Sequence, residues 1–174
     1  MRRAARHVAA LPGLVSTPAD AALLARMAAW WIALPLLKRT TPLPRLVRFA
    51  QLDPRRTERD SEQEAKVAAL AEWLFKARPR ATRDNCLERS LVTYRFLGRL
   101  NAAPELVVGL GVTEDATVGH VWVTTDGRPV HDQQESLEQY ESVAVFTSDG
   151  ERSELREGAA GPAELQRQSK RVDG

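Results

Sequence analysis

The stretch Arg83-Asp84-Asn85-Cys86-Leu87-Glu88-Arg89-Ser90-Leu91 decides how the rest of the chain is read. Cys86 is the only cysteine among 174 residues. Apolar residues recur at Leu87, Leu91, Tyr94 and Leu97, the spacing of one helix face. Asp84 or Asn85 can cap that helix, because a short oxygen-bearing side chain accepts a hydrogen bond from first-turn amides. The thiol then falls in the first turn, near the positive end of the helix dipole, where thiolate is favoured. Thiolate is the nucleophilic form, and a free thiol is only a few per cent ionised at neutral pH.

Such a nucleophile needs a base. The histidines are His7, in a basic N-terminal arm, His120 and His131. His120 opens Gly119-His120-Val121-Trp122-Val123, which reads as a strand, and Asp132 follows beyond a turn at Asp126-Gly127. Cys86, His120 and Asp132 can act as nucleophile, base and orienter. Residue types alone also fit a buried structural cysteine and an edge-strand histidine.

The turn fixes whether the set can assemble. A two-residue loop at Asp126-Gly127 puts Thr125 opposite Arg128, and a strand continuing from there carries Asp132 to the face away from His120. A three-residue loop, Thr125-Asp126-Gly127, sets His120 opposite Asp132, with Gly127 at positive φ. The catalytic reading therefore predicts the longer loop.

Working outward, strands are expected over 106–112, 118–124, 128–132 and 142–146, with a short helix ending near Tyr140. Upstream, Thr17-Pro18-Ala19-Asp20 starts a helix through Leu23, Met27, Trp30, Trp31 and Leu34. Its apolar run, 27–37, is shorter than the roughly 20 residues needed to span a bilayer. Adjacent Trp30 and Trp31 cannot both face one core, so one is expected to face a partner or a second layer. A short amphipathic piece follows at Leu43–Phe49. Another helix carries Val67, Leu70, Leu74 and Phe75 and ends before Pro79. Residues 79–85 form a loop that delivers Cys86, and 149–174 reads as a polar tail.

Composition narrows the function. Residues 1–60 hold eleven Lys/Arg and four Asp/Glu (+7), and 61–174 hold fourteen and nineteen (−5). A basic half suits an acidic peptide, an acidic protein or a membrane surface. There is no nucleic-acid-binding motif, no Cys/His group with zinc spacing and no sign of a cofactor. The start Met1-Arg2-Arg3-Ala4-Ala5-Arg6 is like a signal peptide, but Pro12 and Gly13 break its apolar part. One cysteine suits a reducing compartment, so a cytoplasmic protein without a transmembrane segment is expected.

Cys86-Leu87-x-Arg89-Ser90-Leu91, His120-x-Trp122-Val123 and Asp126-Gly127-Arg128-Pro129-Val130 with Asp132 resemble the leader peptidase of lasso-peptide biosynthesis. That family lies in the transglutaminase-like, papain-related superfamily, and the resemblance covers about residues 80–146. It implies an α+β fold: N-terminal helices, and a core with the nucleophile at a helix start packed on a small antiparallel sheet. It divides the chain into a helical part (1–79), a peptidase core (80–147) and a tail (148–174). It implies catalytic Cys86, His120 and Asp132, no cofactor and no metal. The implied partners are a precursor peptide, a small leader-binding recognition-element protein and an ATP-dependent cyclase. Two positions depart from the pattern: Val121 stands where an alanine is expected, and His131 puts a second imidazole beside Asp132. The remaining alternatives are another transglutaminase-like or arylamine acyltransferase-like enzyme, and a non-catalytic peptide-binding module.

Overall fold

The computed structural model describes residues 11–52, 58–76, 86–113 and 116–153. The proposed caps Asp84 and Asn85, the loop before Cys86, the arm with His7 and the tail beyond Ser153 lie outside them. Among the described residues five helices precede the sheet: α1 (Leu11–Leu14), α2 (Pro18–Thr40), α3 (Leu43–Ala50), α4 (Ser61–Lys76) and α5 (Cys86–Gly98).

The start of α2 is the one its sequence marks. Thr17 Oγ1 accepts from the Asp20 amide at 3.1 Å, and Asp20 Oδ2 accepts from the Thr17 amide at 3.0 Å, which closes a capping box. Lys66 Nζ of α4 reaches the other Asp20 oxygen at 2.8 Å. Lys66 first, and Thr17 next, hold the Asp20 carboxyl well below the usual carboxylate range. At the far end of α2, Lys38 Nζ meets the buried Glu88 of α5 at 2.8 Å. The helix is thus fastened at both ends to the helices beneath it.

The 23 residues of α2 are long and apolar enough, by length and composition alone, to cross a membrane, and the run at 27–37 is only part of it. Met27 and Leu34 are buried, while Ile32 and Leu36 are 72% and 68% exposed. Trp30 and Trp31 do not divide between core and exterior as expected: both are half-buried against the same core. The Arg95 guanidinium lies 4.2 Å above the Trp30 ring and covers it.

The described residues hold five strands, β1 (Glu105–Val112), β2 (Thr117–Thr125), β3 (Arg128–Pro129), β4 (Glu141–Phe146) and β5 (Arg152–Ser153), with α6 (Gln134–Leu137) between β3 and β4. They form an antiparallel sheet in the order β3-β2-β1-β4-β5. The α+β architecture is the one expected. Alternation divides the sheet into two faces. Leu106, Val121, Val123 and Phe146 join Leu91, Leu97, Leu70 and Leu34 in the main core beneath the helices. Val107 and Trp122 face the other way and pack with Leu137, Tyr140 and Val145 in a smaller core.

That smaller core depends on two missing side chains. A Cβ on Gly109 would stand 2.7 Å from the Trp122 ring and 3.0 Å from Tyr140 Cβ. One on Gly111 would stand 2.9 Å from the Gln139 carbonyl oxygen. Gly109 also sits directly across the ladder from His120, at a bulge between β1 and β4. Overpacking of this kind costs about 1–3 kcal/mol. Gly109→Ala is therefore expected to lower the unfolding free energy by that amount, read as a lower urea midpoint with an unchanged m-value. An unchanged midpoint would show that the two aromatic rings are not packed down on β1.

Candidate active site

The hairpin between β2 and β3 has a two-residue loop, because Thr125 pairs with Arg128 and Thr124 with Pro129. Asp126 and Gly127 both take positive φ, 53° and 72°, as the tight primed turn requires. The expected three-residue loop is therefore corrected, although Gly127 has the expected sign of φ. The expected strand over 128–132 is corrected as well: β3 ends at Pro129. One further bond follows, from the Val130 amide to the Val123 carbonyl at 2.9 Å, and then the chain bends through residues 130–132.

That early end creates the site. Had β3 continued in this register, Asp132 would have been the ladder partner of Val121. The outward N–H and C=O of Val121 go instead to α5. Ser90 Oγ donates to the Val121 carbonyl at 2.9 Å, and the Val121 amide hydrogen-bonds the sulfur of Cys86. Cys86 and Ser90 are one helical turn apart, so α5 holds both groups of one residue at the sheet edge.

The same helix face pins the departing chain. Arg89 Nη2 donates to both Asp132 oxygens, at 3.0 and 2.9 Å. One turn on, Thr93 Oγ1 donates to the Arg89 carbonyl and lies 2.8 Å from His131 Nε2. Consecutive residues 131 and 132 are therefore anchored to helix residues 93 and 89. The anchors turn the Asp132 carboxylate back toward His120, whose Nε2 is 3.3 Å from Asp132 Oδ1. The two meet through this bend and not as cross-strand neighbours.

With Nε2 on Asp132, Nδ1 is the ring nitrogen left for the Cys86 thiol, which is hydrogen-bonded to the His120 side chain. Cys86, His120 and Asp132 are thus brought together. His131 turns to Thr93, with Nδ1 3.8 Å from Glu72 of α4, and lies with the helices behind Asp132. Rings brace His120: its centroid is 5.1 Å from Tyr140 and 5.9 Å from Trp122, both in stacked orientation. A cavity of about 340 Å³ lined by Asp20, Lys66, Phe96 and Arg99 lies at the other end of α5, apart from this cluster.

The electrostatics follow from the contacts. Burial pushes the Cys86 thiol up, but the hydrogen bond with His120 and those from the Val121 and Leu87 backbone outweigh it, leaving the thiol below its ordinary value. Asp132, and after it Cys86, push His120 up to about 9 against its burial. Burial raises Asp132, and His120 with Arg89 more than reverses this. The pair therefore ionises as thiolate and imidazolium over a window whose lower edge is the depressed thiol and whose upper edge is about 9. Ionised sulfur beside a proton donor suits attack on a carbonyl followed by protonation of a leaving group. Among the described residues no group of His, Cys, Asp and Glu could hold a metal.

Sequence reasoning missed Ser90, Arg89 and Glu72 as parts of the site. A signal existed: Cys86, Arg89, Ser90 and Thr93 recur at i, i+3, i+4 and i+7, one polar stripe along α5.

A family model described as the transglutaminase-like superfamily matches residues 30–145, two thirds of the chain. The chain belongs to that superfamily. The match runs from Trp30 in α2 to Val145 in β4, so it takes in helices upstream of the region that resembles the leader peptidase, as well as the Val121 clasp. The superfamily supports a cysteine peptidase or acyl-transferase kind of activity. No curated protein matches the chain, and no solved structure does.

Two outcomes test this geometry. Iodoacetamide labelling of Cys86 should set in below the ordinary thiol range, and His120→Ala should return its onset toward that range. Labelling that follows the same pH profile in both proteins would dissolve the pair. Ser90→Ala leaves the buried Val121 carbonyl without its donor, which costs about 1–3 kcal/mol. Chemical denaturation should show that loss, and unchanged stability would remove the clasp.

Proposed function

We propose that this chain is a cysteine peptidase that removes the leader from a ribosomally made lasso-peptide precursor. The observation that carries the peptidase reading is the thiol paired with an imidazole whose far nitrogen is held by a carboxylate. The Cys86 sulfur attacks the carbonyl carbon at the leader–core junction, and the Cys86 backbone amide is the oxyanion donor. His120 gives its proton to the departing amine as the C–N bond breaks, leaving a thioester on Cys86. Water then adds to the thioester, His120 accepts its proton, and the leader carboxylate leaves with the thiolate restored. Asp132 keeps the imidazole oriented throughout.

The lasso-peptide part of the reading rests on the motif resemblance and on where two motif residues lie. Arg89 touches Asp132, and Trp122 stacks on His120, so both contact members of the triad. Such an enzyme works in the cytoplasm beside an ATP-dependent cyclase, with a small leader-binding protein to bring the precursor. Its docking surface is the outer face of α2 and α3. Ile32, Leu36, Arg26 and Arg39 are exposed on α2, and Phe49, Arg45 and Arg48 on α3. The one carboxylate in residues 11–50, Asp20, is buried on Lys66. An acidic leader–partner complex with an apolar patch fits that surface.

Incubation of the purified chain with precursor and partner should release intact leader and core. Cys86→Ala should lose activity by several orders of magnitude while remaining folded. Retained cleavage by Cys86→Ala would overturn the peptidase reading, and a leader carrying an amine in place of a free carboxylate would make the enzyme an acyltransferase. Titrating the partner should raise the rate by increasing the local precursor concentration. Ile32→Asp with Leu36→Asp should abolish that rise and leave partner-free cleavage unchanged. A rate indifferent to partner in the unaltered chain would remove the docking surface.

A further inference from the structure

Arg89 occupies a place that the established and proposed roles leave unexplained. Its side chain is only 11% exposed. The guanidinium gives Nη2 to both oxygens of Asp132, leans Nη1 toward Glu72 Oε2 at 3.4 Å, and lies 5.2 Å over the Phe75 ring. Asp132 Oδ1 is thereby shared between Arg89 at 3.0 Å and His120 at 3.3 Å. Glu72, held in turn by Lys76 at 3.0 Å, ties the guanidinium to α4.

The carboxylate needs such a holder because it has left the sheet. After Pro129 the ladder no longer fixes its backbone, and residues 130–132 are bends. An aspartate on a bend can rotate away from an imidazole unless something else fixes it. We propose that Arg89 is a positioning residue for the Cys86–His120 pair, holding the Asp132 carboxylate against His120 from helix α5 where the fold supplies no strand to do so. The proposal rests on the triad reading above and deepens it.

A positioning role and a counter-charge role predict opposite signs. The charged or titratable groups around His120 are Asp132 after β3, Cys86 on α5 and Tyr140 beyond α6, with Arg89, Glu72, Lys76 and His131 behind Asp132. If Arg89 acted only as a cation, its removal would free the full charge of Asp132 for the imidazole and raise proton affinity at His120. If it positions the carboxylate, removal lets Asp132 swing away. The His120 pKa then falls from about 9 toward the ordinary imidazole range, and that of the thiol rises.

The test uses the full chain with Arg89→Ala and Arg89→Lys. The lysine variant keeps the cation but cannot span both Asp132 oxygens and Glu72, so it remains informative should the alanine variant fail to fold. The readouts are the NMR titration of the His120 imidazole and the pH profile of Cys86 alkylation. Both variants should show an earlier His120 midpoint and an alkylation onset moved up by about one pH unit, which is tenfold in the thiol-to-thiolate ratio. A His120 midpoint that stays or moves up in folded protein would overturn the proposal and leave the peptidase reading standing. An ordinary thiol in the unaltered chain, together with cleavage by Cys86→Ala, would overturn both.

Discussion

Everything at the site depends on who partners the outward edge of Val121. A strand edge exposes N–H and C=O groups that need partners once covered. In β2 this need is met by strand β3 and then Val130 as far as Val123, and by helix α5 at Val121. The change of partner within two residues brings a helix start against a strand that carries histidine. By alternation His120 points to the face of Trp122, away from the main core under α5. A helix lying only on the core face would not meet it. Engaged at the edge, the helix reaches round to the imidazole, and Ser90 keeps it there.

The charges then fall in order. Thiolate, imidazolium, carboxylate, guanidinium and carboxylate alternate from Cys86 through His120, Asp132 and Arg89 to Glu72. Each member faces a neighbour of opposite sign, which offsets the desolvation that a half-buried ion would otherwise suffer. The line crosses from sheet edge to α5 to α4, so the helices ahead of the thiol belong to its electrostatic support. Tyr140 and Trp122 limit the positions open to the imidazole, and Gly109 gives those rings room.

Much of this could be read from the chain. The α2 capping box, the Cys86 helix, the four main strand positions and the Cys-His-Asp set each carry a local signal of periodicity, caps or residue type. The hairpin did not follow the argument made from it, because that argument assumed a strand continuing to Asp132. Strand length at an edge is set by what competes for its partner. Here the competitor is a helix more than thirty residues upstream in sequence. Arg89 and Glu72 were hidden for the same reason: seventeen and forty-three residues separate the partners they join. Composition showed a basic half but not its layout, in which Lys38 is used inside the fold while Arg26, Arg39, Arg45 and Arg48 are exposed.

The central claim is that the fold, and not the substrate, ionises the thiol. With one cysteine in the chain, protein labelled at cysteine Cβ with carbon-13 gives one resonance, whose shift reports thiol or thiolate directly. Followed against pH in the free protein, that resonance should move to its thiolate position below the ordinary thiol range and respond a second time near pH 9 as His120 loses its proton. A single transition at the ordinary thiol value, with nothing shared with His120, would contradict the account.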